Sequence, residues 1–477
     1  MFAYVSLNMK FAIFTYEGQG LPIAEHLQRE GHDVLVGVVH DAKDAHADRE
    51  KSVSKESPFA KKRRLSLYNG LLQTYPAWEL VKKLKKCRNP QEYFLFFDFN
   101  NLFKFADALR DMNFHGNFPT EEDYLLELDR DAAKSFVQQH YPKLNVPEVH
   151  EFSTVKEAKK FLQKSEDFWV LKAYDDQVKT FVPDVDDVHL AREEVIHALE
   201  TSKDSYEREG FILESLIFKL VEITPERIYY DGRPLATVID IENKSFGSGN
   251  VSIQTGCSQD LCFPISLTDK INEIAFPPIV DEMAKKHKGL FVWDASILID
   301  RRTRKMYFGE FCSNRVGYNS FFTELSLCPS VGHFFESVVA GMSPFEMGTV
   351  ACSARIFNQN SDVEHGGLPY VGTPINYKPT VEKNLWLWDV LKKKDKLVTA
   401  GENWNLGVMT GAGRSINEAV NQLYANIDAF SFVGYYYRPK FDYVSLDYPT
   451  SILNRLNYGL ERGLYRLPFD VKVGDLL

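Results

Sequence analysis

Runs of apolar residues, separated by polar and glycine-containing turns, divide the first part of the chain into short elements. Lys10-Phe11-Ala12-Ile13-Phe14-Thr15-Tyr16 reads as a strand, Glu17-Gly18-Gln19-Gly20 as a turn, and a helix opens near Pro22 before a second strand from Asp33 to Val39. A strand, glycine turn, helix and strand in this order predict the start of a parallel sheet. Tyr93 to Phe99 predicts another strand, and Leu102 to Met112 a helix with Leu102, Phe105, Ala106 and Leu109 on one face. Thr120, with Asp123 three residues on, predicts the N-cap of a long helical region that runs through Asp129-Arg130-Asp131-Ala132-Ala133-Lys134 to about His140. Pro147 opens a new unit of a strand, a helix from Thr154 to Lys164 and a strand from Phe168 to Lys172. Lys179 follows across the polar turn Asp175-Asp176-Gln177. Two lysines flanking such a loop suit a phosphate clamp, and a surface hairpin explains them equally well. No internal repeat at solenoid periods and no extended low-complexity segment interrupts this pattern.

Further along, two apolar runs each carry an acid. Asp294 lies in Phe291-Val292-Trp293-Asp294-Ala295-Ser296-Ile297-Leu298-Ile299-Asp300 and Glu310 in Met306-Tyr307-Phe308-Gly309-Glu310-Phe311, joined by Arg301-Arg302-Thr303-Arg304-Lys305. Hairpin pairing brings both carboxylates to one region of a sheet. An isolated pair of acids reads as the solvent face of an ordinary hairpin, but here each is flanked by apolar residues on both sides, as in a strand buried on both faces. Buried like charges are driven to protonate unless a divalent cation, itself bridged to phosphate oxygens, keeps them ionised. Asn314 and Arg315 follow at once, an amide oxygen and a guanidinium suited to a metal and an anionic substrate. The pattern points to magnesium and a nucleotide.

Composition constrains the rest. A chain of 477 residues forms several lobes, since single cores rarely grow beyond about 250 to 300 residues. Hydrophobic content of 44% and charged content of 26% describe a soluble globular protein. No stretch approaches the roughly 20 apolar residues of a membrane span, no signal-peptide pattern opens the chain, and the expected location is the cytoplasm. Six cysteines lack C-x-x-C spacing, so neither a zinc site nor a disulfide framework is suggested. A net charge of -10 argues against broad nucleic-acid binding. The segment from Lys51 to Arg88 departs from it, with Lys51, Lys55, Lys61, Lys62, Arg63 and Arg64 in its first half. Such a run is usually a solvated face, and phosphate or nucleic-acid binding is its minority reading.

The order of these pieces resembles an ATP-grasp ligase, and within that group the phosphoribosylamine-glycine ligase family. The resemblance extends from about Lys10 to Asp442 and rests on collinear motifs. They include Lys134 in the acidic-basic helix, Lys172 in Val170-Leu171-Lys172-Ala173, and the hinge-like Phe211-Ile212-Leu213-Glu214-Ser215-Leu216-Ile217. Glu222, Lys244 in Ile241-Glu242-Asn243-Lys244, Thr255-Gly256, the Asp294 and Glu310 strands, and Tyr437-Arg438 with Asp442 follow in the family's order. The resemblance implies an α/β (α+β subdomains) ATP-grasp architecture. Its parts would be a Rossmann-like N-terminal domain at 9–119 with a basic insertion at about 41–88, an ATP-grasp domain at 120–345, a small mixed C-terminal domain at 346–443, and a tail at 444–477. It implies ATP and Mg2+ (or Mn2+) as cofactors, a carboxylate phosphorylated by ATP, and an amine that displaces phosphate from the acyl phosphate. Asp294, Glu310 and Asn314 would hold the metal, and Lys134, Lys172 and Lys179 the phosphates. Glu214 and Leu216 would set the adenine hinge, and Glu222 would bind the ribose. Lys244 and Arg315 would serve the chemistry, and Gly18, Gly20, Thr255, Gly256 and Arg438 the substrates.

The departures from the family pattern bear on substrate. Gly18-Gln19-Gly20-Leu21-Pro22-Ile23 offers no Arg or His for a sugar phosphate, and Phe97-Asp98-Phe99-Asn100 replaces a Gly-Pro-Glu. Tyr174-Asp175-Asp176-Gln177-Val178-Lys179 lacks the glycines of a phosphate-covering loop. From Glu310 to Asn314 there are two additional residues, so either Cys312 or Asn314 stands at the usual amide position. Three functions follow: a ligase joining glycine to phosphoribosylamine, the same chemistry on another amine such as a modified nucleotide or base, or a non-catalytic nucleotide-binding protein. The expected partners are small-molecule amino-acid and amine substrates and no membrane, for a monomer or dimer.

Overall fold

The computed structural model describes residues 9–40, 58–173, 181–183, 185–300, 302–314, 319–362, 367–444 and 451–467. Lys51, Lys55, Lys179 and Arg315, singled out from the sequence, lie outside the described residues.

The first sheet is parallel and five-stranded, in the order β3-β2-β1-β4-β5. Its strands are β1 (Lys10–Thr15), β2 (Val34–Val38), β3 (Thr74–Pro76), β4 (Tyr93–Phe97) and β5 (His115–Gly116). Alternation along β1 and β4 feeds two cores, because successive side chains of a strand leave on opposite faces. Phe11, Ile13, Phe94 and Phe96 join the main core of the molecule. Ala12, Phe14, Leu95 and Phe97 form a second one with Leu80 and Phe105. That is why both strands read as unbroken apolar runs.

The long helical region read from Thr120 to His140 is two helices, Glu121–Leu128 and Arg130–His140. Thr120 and Asp123 form the capping box of the first. Asp129 breaks the run because its carboxylate accepts from the backbone N–H of Asp131 and Ala132, at 3.2 and 3.0 Å, and so caps the second. A small antiparallel sheet follows, with β8 (Phe211–Ser215) between β6 (Val149–Phe152) and β7 (Trp169–Ala173).

The large sheet has nine strands. Five of them are β9 (Lys219–Tyr230), β10 (Arg233–Gly247), β11 (Val251–Ile265), β12 (Leu290–Asp300) and β13 (Met306–Ser313). They lie in the order β13-β12-β9-β10-β11, and β14 (Val350–Asn358) then adds to β11 and continues into strands Asn405–Gly413 and Leu385–Leu387. Strands on either side of residue 346 therefore share one sheet. Helix Asn319–Leu325 packs over β11 and β14.

The basic segment divides in two. Lys61, Lys62, Lys82, Lys83, Lys85 and Lys86 are exposed, while Arg63 and Arg64 are buried. Arg63 donates to the carbonyls of Pro369 and Gly401 at 2.7 and 2.8 Å, and Arg64 to that of Val39. These two arginines anchor the segment, while its described lysines form the solvated face. Among the described residues no helix is long and apolar enough to cross a membrane.

Candidate active site

The predicted hairpin is present, and its register brings the acids to one face. Asp294 on β12 pairs with Cys312 on β13, and Glu310 lies two residues before Cys312, on the same side of its strand. Neighbouring strands add acids to that face. Asp240 on β10 pairs with Thr224 on β9, and Glu242 with Asp260 on β11. A cavity of about 250 Å3 opens here, lined by Glu226, Glu242, Lys244, Asp294, Glu310 and Cys312 among others. Glu127, from helix Glu121–Leu128, also reaches it. No sequence signal marked Glu127, Glu226 or Glu242.

Lys244 is the hub of this face. Its Nζ lies 2.9 Å from Glu222, 2.6 Å from Glu310 and 3.9 Å from Glu242. Burial opposes its charge, but Glu222, Glu310 and Glu242 outweigh that and hold its pKa well above the ordinary lysine value. Glu222 also accepts from Ser296 Oγ at 2.8 Å. Asp294 receives less help. Burial first, then Glu226, Glu242 and Glu310, push its carboxyl far above the usual carboxylate range against the smaller pull of Lys244, and among the described residues its Oδ1, sealed from solvent, has no hydrogen-bond partner. An orphaned carboxylate oxygen beside Glu310, in a cavity rich in hard oxygen donors, fits a divalent metal ion.

A second cluster lies on the small sheet. Glu214 on β8 takes Lys134 Nζ at 2.5 Å and Lys172 Nζ of β7, so helix Arg130–His140 and two strands meet at one carboxylate. Burial disfavours the charge on Glu214, yet Lys172 and Lys134 prevail and lower its pKa. For Lys172 burial prevails over Glu214, and its pKa falls below the ordinary lysine value. Leu216, expected at the adenine hinge, packs against the small cluster of Phe168, Ala191 and Phe218. Its backbone N–H donates to the Phe168 carbonyl at 2.8 Å.

Other expected site residues are placed differently. Asn314 is fully buried and turned back from the cavity; its Oδ1 accepts from the Val292 N–H at 3.2 Å and its Nδ2 donates to Asp123 at 3.4 Å. It stands past the end of β13 with φ +51°, and Cys312, still on the strand, is the residue that lines the cavity. This corrects the metal set read from sequence: Asn314 is not brought to Asp294 and Glu310. Arg438 is also fully buried, paired with Asp442 at 2.9 Å, and donates to Asn250 Oδ1 and the Ser245 carbonyl at 2.7 and 3.1 Å. It braces β10 and its turn, where the sequence reading gave it a substrate role. Thr255 Oγ1 donates to the Lys244 carbonyl at 2.9 Å and so steadies the lysine's strand, while Gly256 lines the cavity.

The glycine turn is filled from within. Gly18 N–H donates to Thr15 Oγ1 at 2.9 Å, and Gly20 N–H donates to Asp98 Oδ2 at 2.8 Å, while Thr15 Oγ1 donates to the same carboxylate at 2.5 Å. Asp98 is buried, and that burial pushes its pKa up to about 7 against the donors that favour its charge. A Cβ at Gly20 would meet Ile13 Cγ2 at 2.9 Å, which is why the residue carries no side chain.

With this geometry in hand, solved structures show what the chain is similar to. Phosphoribosylamine-glycine ligase from Thermotoga maritima matches with a TM-score of 0.60 at 16% identity, over 90% of this chain and 99% of that one. Biotin carboxylase from Campylobacter jejuni, in a β-γ-ATP complex, matches with a TM-score of 0.55 at 14% identity, over 96% and 99%. Phosphoribosylglycinamide synthetase from Anaerococcus prevotii matches with a TM-score of 0.53 at 12% identity, over 89% and 99%. The chain has the ATP-grasp fold. No protein-family model matches it, and no curated protein sequence does.

Proposed function

We propose that the chain is an ATP-dependent carboxylate-amine ligase that works through an acyl phosphate. The observation that carries this reading is the cavity in which the orphaned Asp294 and the Lys244-bridged Glu310 converge. A magnesium ion held by Asp294 and Glu310 would neutralise charge on the transferred phosphoryl group. Lys244 would place its ammonium against phosphoryl oxygens, exchanging one carboxylate contact for another anion. Lys134 and Lys172 would release Glu214 to bind phosphates, each as a point charge. The substrate carboxylate would attack the γ-phosphorus with loss of ADP, and an uncharged amine would then displace phosphate from the acyl carbon and lose a proton.

Glycine and phosphoribosylamine are one substrate pair. A different amine is favoured by one observation: the amides of Gly18 and Gly20, where the resemblance would seat a sugar phosphate, are taken by Thr15 and by the Asp98 carboxylate. A carboxylate there repels a phosphate at neutral pH and above. The test is magnesium-dependent ADP release with each standard amino acid in the presence of candidate amines. The wild type should respond to one amino acid, and Asp294→Asn should lose about 100-fold or more of that rate while keeping its thermal midpoint. ADP release that Asp294→Asn leaves intact would remove this site from the chemistry.

A further inference from the structure

Beyond the cavity, the acid-bearing face of the large sheet continues into the core, where it holds carboxylates that the ligase reading does not use. Asp240 on β10 pairs in register with Cys262 on β11. Glu324 comes down on them from helix Asn319–Leu325, which lies over β11 and β14. One carboxylate oxygen of Asp240, the Sγ of Cys262 and one carboxylate oxygen of Glu324 all lie within 4.8 Å of one another. Asp240 is 1% exposed, and Cys262 and Glu324 are fully buried.

What these groups lack is a cation. Among the described residues no hydroxyl, amide or cationic donor reaches Oδ1 of Asp240 or either oxygen of Glu324, which leaves the acids only protons shared with one another, as between Glu324 and Glu226 and between Asp240 and Asp260. Glu226, outside the three and only 6% exposed, leaves its Oε1 without one too, and it lies close enough to Glu324 for the two acids to share a proton. Lys244, the cation that the described residues bring to this face, is already divided among Glu222, Glu310 and Glu242. Buried carboxylates without donors or cations cost several kcal/mol each, and a sheet that places them side by side from three different elements needs something to offset that.

The donor set indicates what does so. A thiol rules against magnesium, which takes hard oxygen ligands, whereas two carboxylates and a thiolate suit a borderline cation such as zinc. We infer that Asp240, Cys262 and Glu324 bind a zinc-like divalent cation at a site separate from the nucleotide's magnesium, with Glu226 beside it as the fourth donor. On binding, Cys262 loses its thiol proton, and any proton shared by the carboxylates leaves with it to solvent, so the ion replaces protons as the counter-charge. The ion would pin helix Asn319–Leu325 to the centre of the sheet, with β9 between β10 and the strand that carries Asp294. Its role is structural; Glu226 also lines the nucleotide cavity, and metal content is read without the ligase activity, so the two readings can fail separately.

The full chain, purified without chelators, should carry about one zinc per molecule by elemental analysis. Cobalt loaded in its place should give a thiolate-to-metal absorption band. Cys262→Ala should lose both the metal and the band, while Cys312→Ala, which alters a cavity cysteine instead, should keep them. Glu324→Gln separates the two ways of balancing these charges. With a metal it lowers metal content and the thermal midpoint; without one it gives Glu226 a donor and raises the midpoint. Wild-type protein that carries no metal and gains neither a cobalt band nor thermal stability from added zinc would overturn the inference. So would metal retained by Cys262→Ala. If Cys262→Ala does not fold, the wild-type cobalt spectrum alone decides between the same outcomes.

Discussion

At the scale of single residues, Asp98 makes the most direct link between a buried charge and a measurable property. An unfolded aspartate titrates near 3.9, whereas burial pushes Asp98 up to about 7 in the fold. The folded state therefore binds the extra proton between those values, and stability falls as pH rises through that window, levelling off above about 7. Asp98→Asn keeps an acceptor for Gly20 and removes the titration. Its thermal midpoint should gain on the wild type steadily from pH 4 to 7 and run parallel above that; parallel curves throughout would show that Asp98 does not titrate there. The same scale shows what the sequence made legible. Asp294 and Glu310 could be read because a short turn and apolar flanks fixed a hairpin, and in a hairpin face follows from register. Asn314 could not, because the strand ends at Ser313 and the left-handed turn at the next residue reverses its side chain. Spacing along a strand predicts a face only while the strand lasts. Glu226, Asp240 and Asp260 were hidden for the opposite reason: alternating polar positions ordinarily mark a solvent face, and nothing local announces that a helix covers them.

At the scale of elements, the small sheet and helix Arg130–His140 are held together at one carboxylate. Glu214 pairs with both Lys134 and Lys172, and the proposed function requires both lysines to turn to phosphates instead. Glu214→Gln should therefore lower the thermal midpoint of the free protein, since two partly buried ammonium groups lose their partner. Added MgATP should then raise that midpoint by more than it does in the wild type, because the phosphates restore the missing charge. Lys172→Met should weaken ATP binding about tenfold, roughly 1.4 kcal/mol. An unchanged ATP response in both variants, measured by thermal shift, would place the phosphates elsewhere. The strands and helices of this region could be read from apolar period and caps. The break at Asp129 could not be read with the same ease, because the residue is compatible with a helix interior and only its captured N–H groups make it a cap.

At the scale of the whole molecule, the sheet runs through the boundary that the sequence suggested near residue 346. The resemblance divides the chain there, and a change of motif in sequence says nothing about which strand edges end up paired. In the fold, β14 pairs with β11 from Gln259↔Ala354 to Cys262↔Ala351, and every residue of β14 is buried. The strand Asn405–Gly413 and helix Ile416–Asp428 then pack on β14. Ending the chain at residue 345 would leave β11 as an open edge, with Leu261, Cys262 and Phe263, all fully buried in the intact chain, beside unpaired backbone groups. Main-core residues on both sides of that point form one cluster, so the truncation divides a core and not a linker. A fragment of residues 9–345 should accordingly lose its near-ultraviolet circular dichroism, bind a hydrophobic dye and aggregate, and co-expression with residues 346–477 should restore a soluble complex. A monomeric 9–345 fragment that unfolds cooperatively would mean that β11 tolerates a free edge. The active-site face would then be built by β9 to β13 alone.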